Sequence, residues 1–470
     1  MKIIIIGAGR VGSSVAESLV SEANDITVID SDPARVADLQ DRFDLRGLVG
    51  NAALPSTLKQ AGAHDSDMLI AVTASDEANL VACKIAADLY NVPTRIARVR
   101  NVELQKHPKL IGDEGFRATH VIFPEQTVTD YLLKLIEFPE ALQVLEFADG
   151  RASLIAVRAY AGGPLVTHPV KELRRHLPNV DARIVAMFRE DASVRVDGDT
   201  QIQPGDEVFF LAASQNIRTV MSELRRMDKP VRRVMLAGGG NIGLRVARSL
   251  DTGEGLDTPY RFVVKIIESN KRRAEALAQQ LSADVLVLNG DATDEDLLQQ
   301  EGVHEVDLFI ALTNDDENNI MSSLLAKRMG ARRVIALINR KSYGDLMQGG
   351  QIDIAISPSY ATLSALLRFV RRGDVVAAHS LRRGAAEALE IIAHGDARTS
   401  RVIGRQVEEI ELPRGVTLGA VVRGTGAMTQ VMMAHHDTVI QEEDHLIVFV
   451  ENKRLIQRVE KLFTVSAGFF

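Results

Sequence analysis

Two short stretches, 231 residues apart (238 − 7), constrain this chain more than any other feature. The first reads Ile3-Ile4-Ile5-Ile6-Gly7-Ala8-Gly9-Arg10-Val11-Gly12, and the second Val234-Met235-Leu236-Ala237-Gly238-Gly239-Gly240-Asn241-Ile242-Gly243. Each opens as an apolar run too short for a helix and suited to a buried strand. Each then closes on G-x-G-x-x-G and enters a helical pattern, Val11, Val15, Leu19 in one copy and Ile242, Val246, Leu250 in the other. In that setting the first glycine makes the tight turn, the second lets a pyrophosphate reach the backbone, and the third lets helix and strand pack closely. The helix start adds unpaired N–H groups and a positive dipole end.

A second strand closes each unit on an acid, at Ile26–Asp30 and Val263–Glu268. A carboxylate there accepts hydrogen bonds from ribose hydroxyls and repels a 2′-phosphate. Asp30 lies 18 residues past the last glycine of its loop (30 − 12) and Glu268 lies 25 past its own (268 − 243). The longer spacing comes from an extended connection, Asp251 to Tyr260.

Further features repeat in the same order. Gly50-Asn51-Ala52 matches Gly290-Asp291-Ala292, and the strand ending at Thr73 matches the one ending at Thr313. Acidic helix starts follow at Ser75–Asn79 and Asp315–Asn319, and sixth strands end at Pro124 and Pro358. Asn51 and Asp291 are placed to approach an adenine edge or to shape a turn, and Thr73 and Thr313 sit at the carboxyl edge where ligands bind.

The expected fold is therefore α/β: a tandem duplication in which each half is a Rossmann-type doubly wound parallel sheet followed by a small α+β lobe. The expected boundaries are 1–124, a crossover helix at 125–141, a small lobe at 142–227, then 232–358, 359–387 and 388–470. Each helix leaving a finished sheet (Val128 to Ile136, Leu363 to Val370) is either a crossover or dimer contact, or a lid on its own domain. Arg225 to Arg233 reads as a charged, fairly stiff hinge.

Chemistry is harder to place. A nicotinamide dehydrogenase needs a proton donor beside the hydride, and His64, His107 and His120 fall in loops or strand ends. His435 and His436 are adjacent, hence on opposite sides of a strand, and make a poor metal pair. The single cysteine, Cys83, sits in an apolar helical pattern and reads as core. A net charge of −8 and 4% aromatic residues argue against a nucleic-acid partner. The N-terminus carries no leader pattern, and no apolar stretch approaches the ~20 residues of a membrane span. Arg10, where the second loop has Asn241, suits an extra phosphate charge. The two sites are expected to prefer different nucleotides.

The order of units, with motifs such as Gly7–Gly12, Phe147-Ala148-Asp149-Gly150, Gly205–Phe210, Gly238–Gly243, Leu324–Gly330 and Ser380–Gly384, resembles the RCK (KTN) regulatory subunits of bacterial Trk potassium-uptake systems over almost the whole chain. The resemblance implies a cytoplasmic protein, peripheral on the inner face of the cell membrane, binding NAD or NADH and also ATP or ADP. It implies self-assembly, from dimer to tetrameric ring, beneath an integral-membrane potassium-translocating subunit of the TrkH/TrkG kind, with no catalytic residues and no metal. The expected nucleotide contacts are Gly7, Ala8, Gly9, Arg10, Val11, Gly12, Asp30, Asn51 and Thr73 in the first half. In the second they are Gly238, Gly240, Asn241, Ile242, Gly243, Glu268, Asp291 and Thr313. A dehydrogenase and a redox-sensing transcriptional regulator are the rival readings.

Overall fold

The structure is a computed structural model and describes all residues except 21, 23, 191, 225–228, 259, 341, 344–350, 372–373, 382–385, 425 and 466–470. The first four residues of the charged hinge, 225–228, and the end of the Ser380–Gly384 motif lie outside the described residues.

The first parallel sheet contains β1 (Lys2–Ile6), β2 (Asp25–Asp30), β3 (Arg46–Val49), β4 (Met68–Ala71), β5 (Thr94–Arg98) and β6 (His120–Ile122), in the order β3-β2-β1-β4-β5-β6. Ile3, Ile4, Ile5 and Ile6 are all buried because helices cover both faces of the sheet. The order reverses between β1 and β4, which opens a crevice at their carboxyl ends beside Gly7. The small lobe is an antiparallel sheet of β7 (Ala141–Phe147), β8 (Ala152–Arg158), β9 (Ala182–Arg189), β10 (Ala192–Val194) and β11 (Glu207–Ala213), in the order β10-β9-β11-β8-β7.

The second half repeats this plan. Its parallel sheet holds β12 (Arg233–Ala237), β13 (Val263–Glu268), β14 (Val285–Asn289), β15 (Leu308–Ala311), β16 (Arg333–Leu337) and β17 (Ile354–Ile356), ordered β14-β13-β12-β15-β16-β17. Its antiparallel sheet holds β18 (Val375–Leu381), β19 (Ala386–Ile392), β20 (Val416–Arg423), β21 (Gln430–Met433) and β22 (His445–Val450), ordered β18-β19-β22-β20-β21.

The helices between the lobes settle their own alternatives. The first crossover helix, Pro124–Glu137, starts on a proline whose missing N–H costs nothing there. Its apolar face (Val128, Leu132, Leu133, Leu135, Ile136) packs into the core of the second parallel domain, with Val246, Leu250 and Val264. The second, Pro358–Val370, sends Leu363, Leu366, Leu367 and Val370 into the core built by Val15 and Leu19 of the first half. Neither is a lid on its own domain. The helices cross over within one chain, so each half completes the other.

The two small lobes also meet, sheet against sheet. Phe147, Phe209 and Leu211 from one face Leu381, Val422 and Phe449 from the other, with the rings of Phe209 and Phe449 centred 6.1 Å apart. Polar ties fix the register: the Ala148 N–H donates to Glu390 Oε2 at 2.9 Å, and the Met433 N–H to Asp181 Oδ2 at 2.7 Å.

One joint is ionic. Arg371, just past the second crossover helix, donates to Glu22 of the first parallel domain at 2.5 and 2.9 Å, and to Glu387 of β19 at 2.7 Å. Their side chains are 1%, 5% and 2% exposed. Burial raises the Glu387 carboxyl to about 7, with Glu22 adding repulsion and Arg371 opposing both. The matching place in the other half is built differently. Leu256, in the extended Asp251–Tyr260 connection, packs beside the first crossover helix, and Arg232 lies over the Tyr260 ring at 5.0 Å.

Candidate nucleotide sites at the two glycine loops

Each glycine has a distinct task that the geometry displays. Gly7 and Gly238 adopt φ of +103° and +104°, and a Cβ on either would press on the backbone of Thr73 or Thr313 at about 3 Å. Gly12 and Gly243 lie so close to the preceding turn that a Cβ would fall 1.7 and 2.1 Å from the carbonyl oxygens of Gly7 and Gly238. The middle glycines are different. Gly240 has nothing within 4 Å of where a side chain would start, and Gly9 has only the Arg35 guanidinium, at 4.0 Å. That open face is where a pyrophosphate can approach the backbone. Arg10 and Asn241 are the first residues of their helices and are exposed, Val11 and Ile242 are half-buried, and Ala8 is buried.

The acids at the strand ends lie beside these loops. Asp30 accepts the Ala8 N–H at 2.6 Å and the Asp32 N–H at 2.9 Å. Glu268 repeats the pattern, accepting the Gly239 N–H and the Asn270 N–H, both at 2.8 Å. The extended connection before β13 therefore leaves Glu268 in the same local geometry as Asp30. Asn51 accepts the Ala53 N–H at 2.9 Å, and Asp291 accepts from the Thr293 N–H and hydroxyl at 2.9 and 2.8 Å. Both shape the turn after the third strand.

Thr73 and Thr313 reveal a pair of residues that sequence reasoning missed. Asn79 and Asn319, both fully buried, accept from the backbone N–H and hydroxyl of the threonine, at 2.9 and 2.7 Å in the first half and 2.9 and 2.6 Å in the second. Their amides also donate to the carbonyls of Arg98 and Leu337. Each asparagine thus ties the fourth strand to the fifth beside the crevice. Asp76 and Asp316 act similarly, receiving the N–H groups of Arg100 and Asn101, or of Asn339 and Arg340. The signal was present in the repeated acidic stretches, which read only as helix starts.

These ties also align the two sites and expose how they differ. Arg98 stands where the second half has Leu337, and Arg100 where it has Asn339. Glu125 stands where it has Ser359, each following the first proline of a crossover helix. A third arginine, Arg245, arrives from the second half and donates to Gln126 and, at 3.1 Å, to Gln105. The Nε atoms of Arg98, Arg100 and Arg245 and one carboxyl oxygen of Glu125 are buried without hydrogen-bond partners. Burial makes the charge on Arg98 costly and raises the Glu125 carboxyl, while all three arginines pull that carboxyl back down. Unsatisfied buried groups of this kind call for a ligand or ordered solvent. The matching positions of the second site present no such cluster.

Other residue readings can be placed. Cys83 is buried, and desolvation pushes its thiol up to about 12, as expected of core. His435 and His436 do not lie on a strand, as the sequence suggested; β21 ends at Met433 and they follow it in a turn. The reason is local: Thr438 accepts the His435 N–H through its hydroxyl and closes the loop. Among the described residues no cluster of three or more metal-ligating side chains occurs, and no helix is long and apolar enough to cross a membrane.

Comparison with known proteins adds to this geometry. The TrkA-N domain model matches residues 3–124 and 234–358, and the TrkA-C domain model matches 154–225 and 397–464. Proteins named Trk system potassium uptake protein TrkA are similar along their whole length: 51% identical in Vibrio alginolyticus, 52% in Halomonas elongata and 46% in Haemophilus influenzae, each covering 100% of both chains. Among solved structures, the GsuK RCK domain superposes with a TM-score of 0.59 at 17% identity, covering 98% of this chain and 95% of that one. The GsuK channel bound to NAD gives 0.59 at 16% identity, covering 98% and 79%.

Proposed function

The chain belongs to the TrkA family, and from that premise we propose that it is a regulatory subunit. It binds NAD(H) and adenine nucleotides and sets the conductance of an integral-membrane potassium-translocating partner. The observation that carries this reading is where the first site lies. Its carboxyl edge, with Arg98 and Arg100, adjoins Glu125 and Gln126 at the start of a crossover helix whose apolar face is buried in the other half. Gln126 is held from that half by Arg245. A ligand that draws these groups together acts on the angle between the halves.

The two sites then divide the work. The first, with Arg10, Arg35, Arg98 and Arg100 about its loop and Arg245 reaching in, takes an adenine nucleotide with several phosphates, since arginine forks suit phosphate oxygens. The second, with Asn241, Leu337 and Asn339 in place of three of those cations, takes the dinucleotide. Asp30 and Glu268 receive the ribose hydroxyls in each. The relatives are named as potassium uptake proteins, and binding energy goes into shape and not turnover. A ligand shifts a partner only by the difference in its affinity for two states, and couplings of about 1–3 kcal/mol are typical. The protein works in the cytoplasm, assembled into a ring against the inner face of the membrane.

Potassium flux into liposomes holding the translocating subunit tests the reading, with this protein added and NADH, NAD, ATP and ADP compared. Flux that differs several-fold between nucleotides is expected. Equal flux with every nucleotide and with none overturns the proposal, however tight the binding.

A further inference from the structure

Away from both glycine loops lies a cavity of about 860 Å³, within the ~300–1,000 Å³ usual for organic ligands. It opens where four parts of the chain meet: the first crossover helix, the edge strand β7 with the end of β8, the far edge of the second parallel sheet at β17, and the start of the second crossover helix. At the equivalent place in the other half, His120 at the start of β6 stacks on Phe369 of the crossover helix, with ring centres 3.9 Å apart and planes at 17°. Arg368 caps that ring at 4.3 Å. The counterpart of His120 is Ile354, which starts β17 and lines the cavity; the counterpart of Phe369 is Leu135, eleven residues into its helix (135 − 124, 369 − 358), which is buried in the core. The stacked rings of one half are replaced by two aliphatic side chains in the other.

The lining has a definite chemistry. Lys134, Arg158, Arg332, Arg333 and Arg340 all reach it. Four of these cations are held by the protein itself: Lys134 by Glu146 at 2.7 Å, Arg332 by Asp307 at 3.4 Å, Arg333 by the Ala141 carbonyl at 2.8 Å, and Arg340 by Glu317 at 2.7 Å. Acids line it too: Asp353 takes Lys327, Asp130 takes the Gln126 amide, and Glu140 and Glu207 have interactions of their own, although one Glu140 carboxyl oxygen is buried without a hydrogen-bond partner. Among the cations Arg158 is the exception. Its Nε is buried without a hydrogen-bond partner, as is the Ser380 hydroxyl across the cavity. Two residues on, and so on the same side of an extended chain, Tyr160 also lines the cavity with 51% of its surface exposed. A buried cationic donor lacking an acceptor, an unsatisfied hydroxyl and an aromatic ring at the mouth match one kind of ligand.

We propose that this cavity is a third ligand site, separate from the glycine loops, that takes an aromatic organic anion, its charged group on Arg158 and its ring against Tyr160. Such a ligand touches the small lobe of the first half and the parallel domain of the second together. It would therefore bind one setting of that joint better than another. This inference needs only the cavity and its lining and stands apart from the regulatory reading above.

The full chain, first saturated with NAD, is titrated with 8-anilinonaphthalene-1-sulfonate, an aromatic anion whose fluorescence rises on leaving water. A single saturable bright site is expected. Arg158→Gln weakens it at least tenfold, Arg158→Lys weakens it less, and Ala361→Phe, which fills the cavity from the second crossover helix, abolishes it. NAD binding by each variant reports that the chain is folded; should Ala361→Phe fail that check, the Arg158 pair decides alone. A signal that persists undiminished in Arg158→Gln, that ATP displaces in step with its own binding, or that never saturates overturns the assignment.

Discussion

Replacing Arg371 by Met tests how the first parallel domain is held to the second small lobe. The guanidinium is 1% exposed and sits between Glu22 and Glu387, both of them nearly as buried. Removing one partner of a buried ion pair leaves an uncompensated charge and costs roughly 3–5 kcal/mol. Here two carboxylates are left facing each other, so the upper half of that range is expected at pH 8. Acid relieves the defect. The sign follows from Glu387, whose carboxyl titrates near 7 in the folded chain, well above its ordinary value of 4.5. A carboxyl with a raised folded pKa binds its proton more tightly when folded, so it favours folding at low pH. That advantage is lost as pH rises from the unfolded value through the folded one. Across the window from about 4.5 to 7 the parent chain should lose stability from this group. Glu387→Gln keeps an acceptor for Arg371 without the charge and should flatten that slope. The assay is urea denaturation followed by circular dichroism from pH 5 to 8, with hydrogen exchange read in the helices Arg10–Val20 and Ile456–Phe463 that flank the joint. If Arg371→Met changes neither stability nor exchange at pH 8 by more than about 0.5 kcal/mol, a value within the range of ordinary surface substitutions, the ionic joint is not what holds these lobes.

Other substitutions probe the sites and the core. Asp30→Ala and Glu268→Ala each remove charge-assisted bonds worth about 1.5–3 kcal/mol, so calorimetry should show affinity falling about ten- to a hundred-fold, for ATP with Asp30→Ala and for NADH with Glu268→Ala. Arg98→Gln with Arg100→Gln should weaken ATP by tenfold or more while NADH changes little; equal losses for both ligands would contradict the division of the sites. Gly12→Ala places a methyl 1.7 Å from the Gly7 carbonyl oxygen, and should unfold the first loop and abolish its nucleotide binding in a thermal-shift titration. Phe209→Ala empties the contact between the small lobes and should cost about 3–5 kcal/mol, as for other buried aromatics, measured as a lower urea midpoint.

Much of this was legible from residues alone, because a parallel sheet buried on both faces must spell continuous apolar runs, and a turn that tolerates no side chain must spell glycine. Ile3–Ile6 with Gly7 and Gly12 therefore announced both strand and loop. Asp30 and Glu268 were readable from their place at a strand end, even with an unequal spacing before Glu268. What the residues could not show was partnership across the chain. The face of Val128 to Ile136 looks the same whether it covers its own sheet or another, and only the packed structure assigns it to Val246 and Leu250. Asn79 and Asn319 were hidden for a similar reason. A polar residue in a helix's first turn reads as a solvated start, and its burial depends on strand ends far away in sequence. The arginine cluster was invisible because Arg245 comes from the other half.

The exchange of crossover helices inside a single chain has a consequence for how the two halves can change. Were the same arrangement made by two identical chains, every substitution would appear twice, once on each side of the symmetry axis. Covalent fusion removes that restriction and also fixes the halves at a high effective concentration, independent of how much protein the cell makes. Arg98 can then have Leu337 as its counterpart, Glu125 can have Ser359, and Phe369 can have Leu135. Each asymmetric pair is a difference that a homodimer could not carry without imposing it on both of its sites.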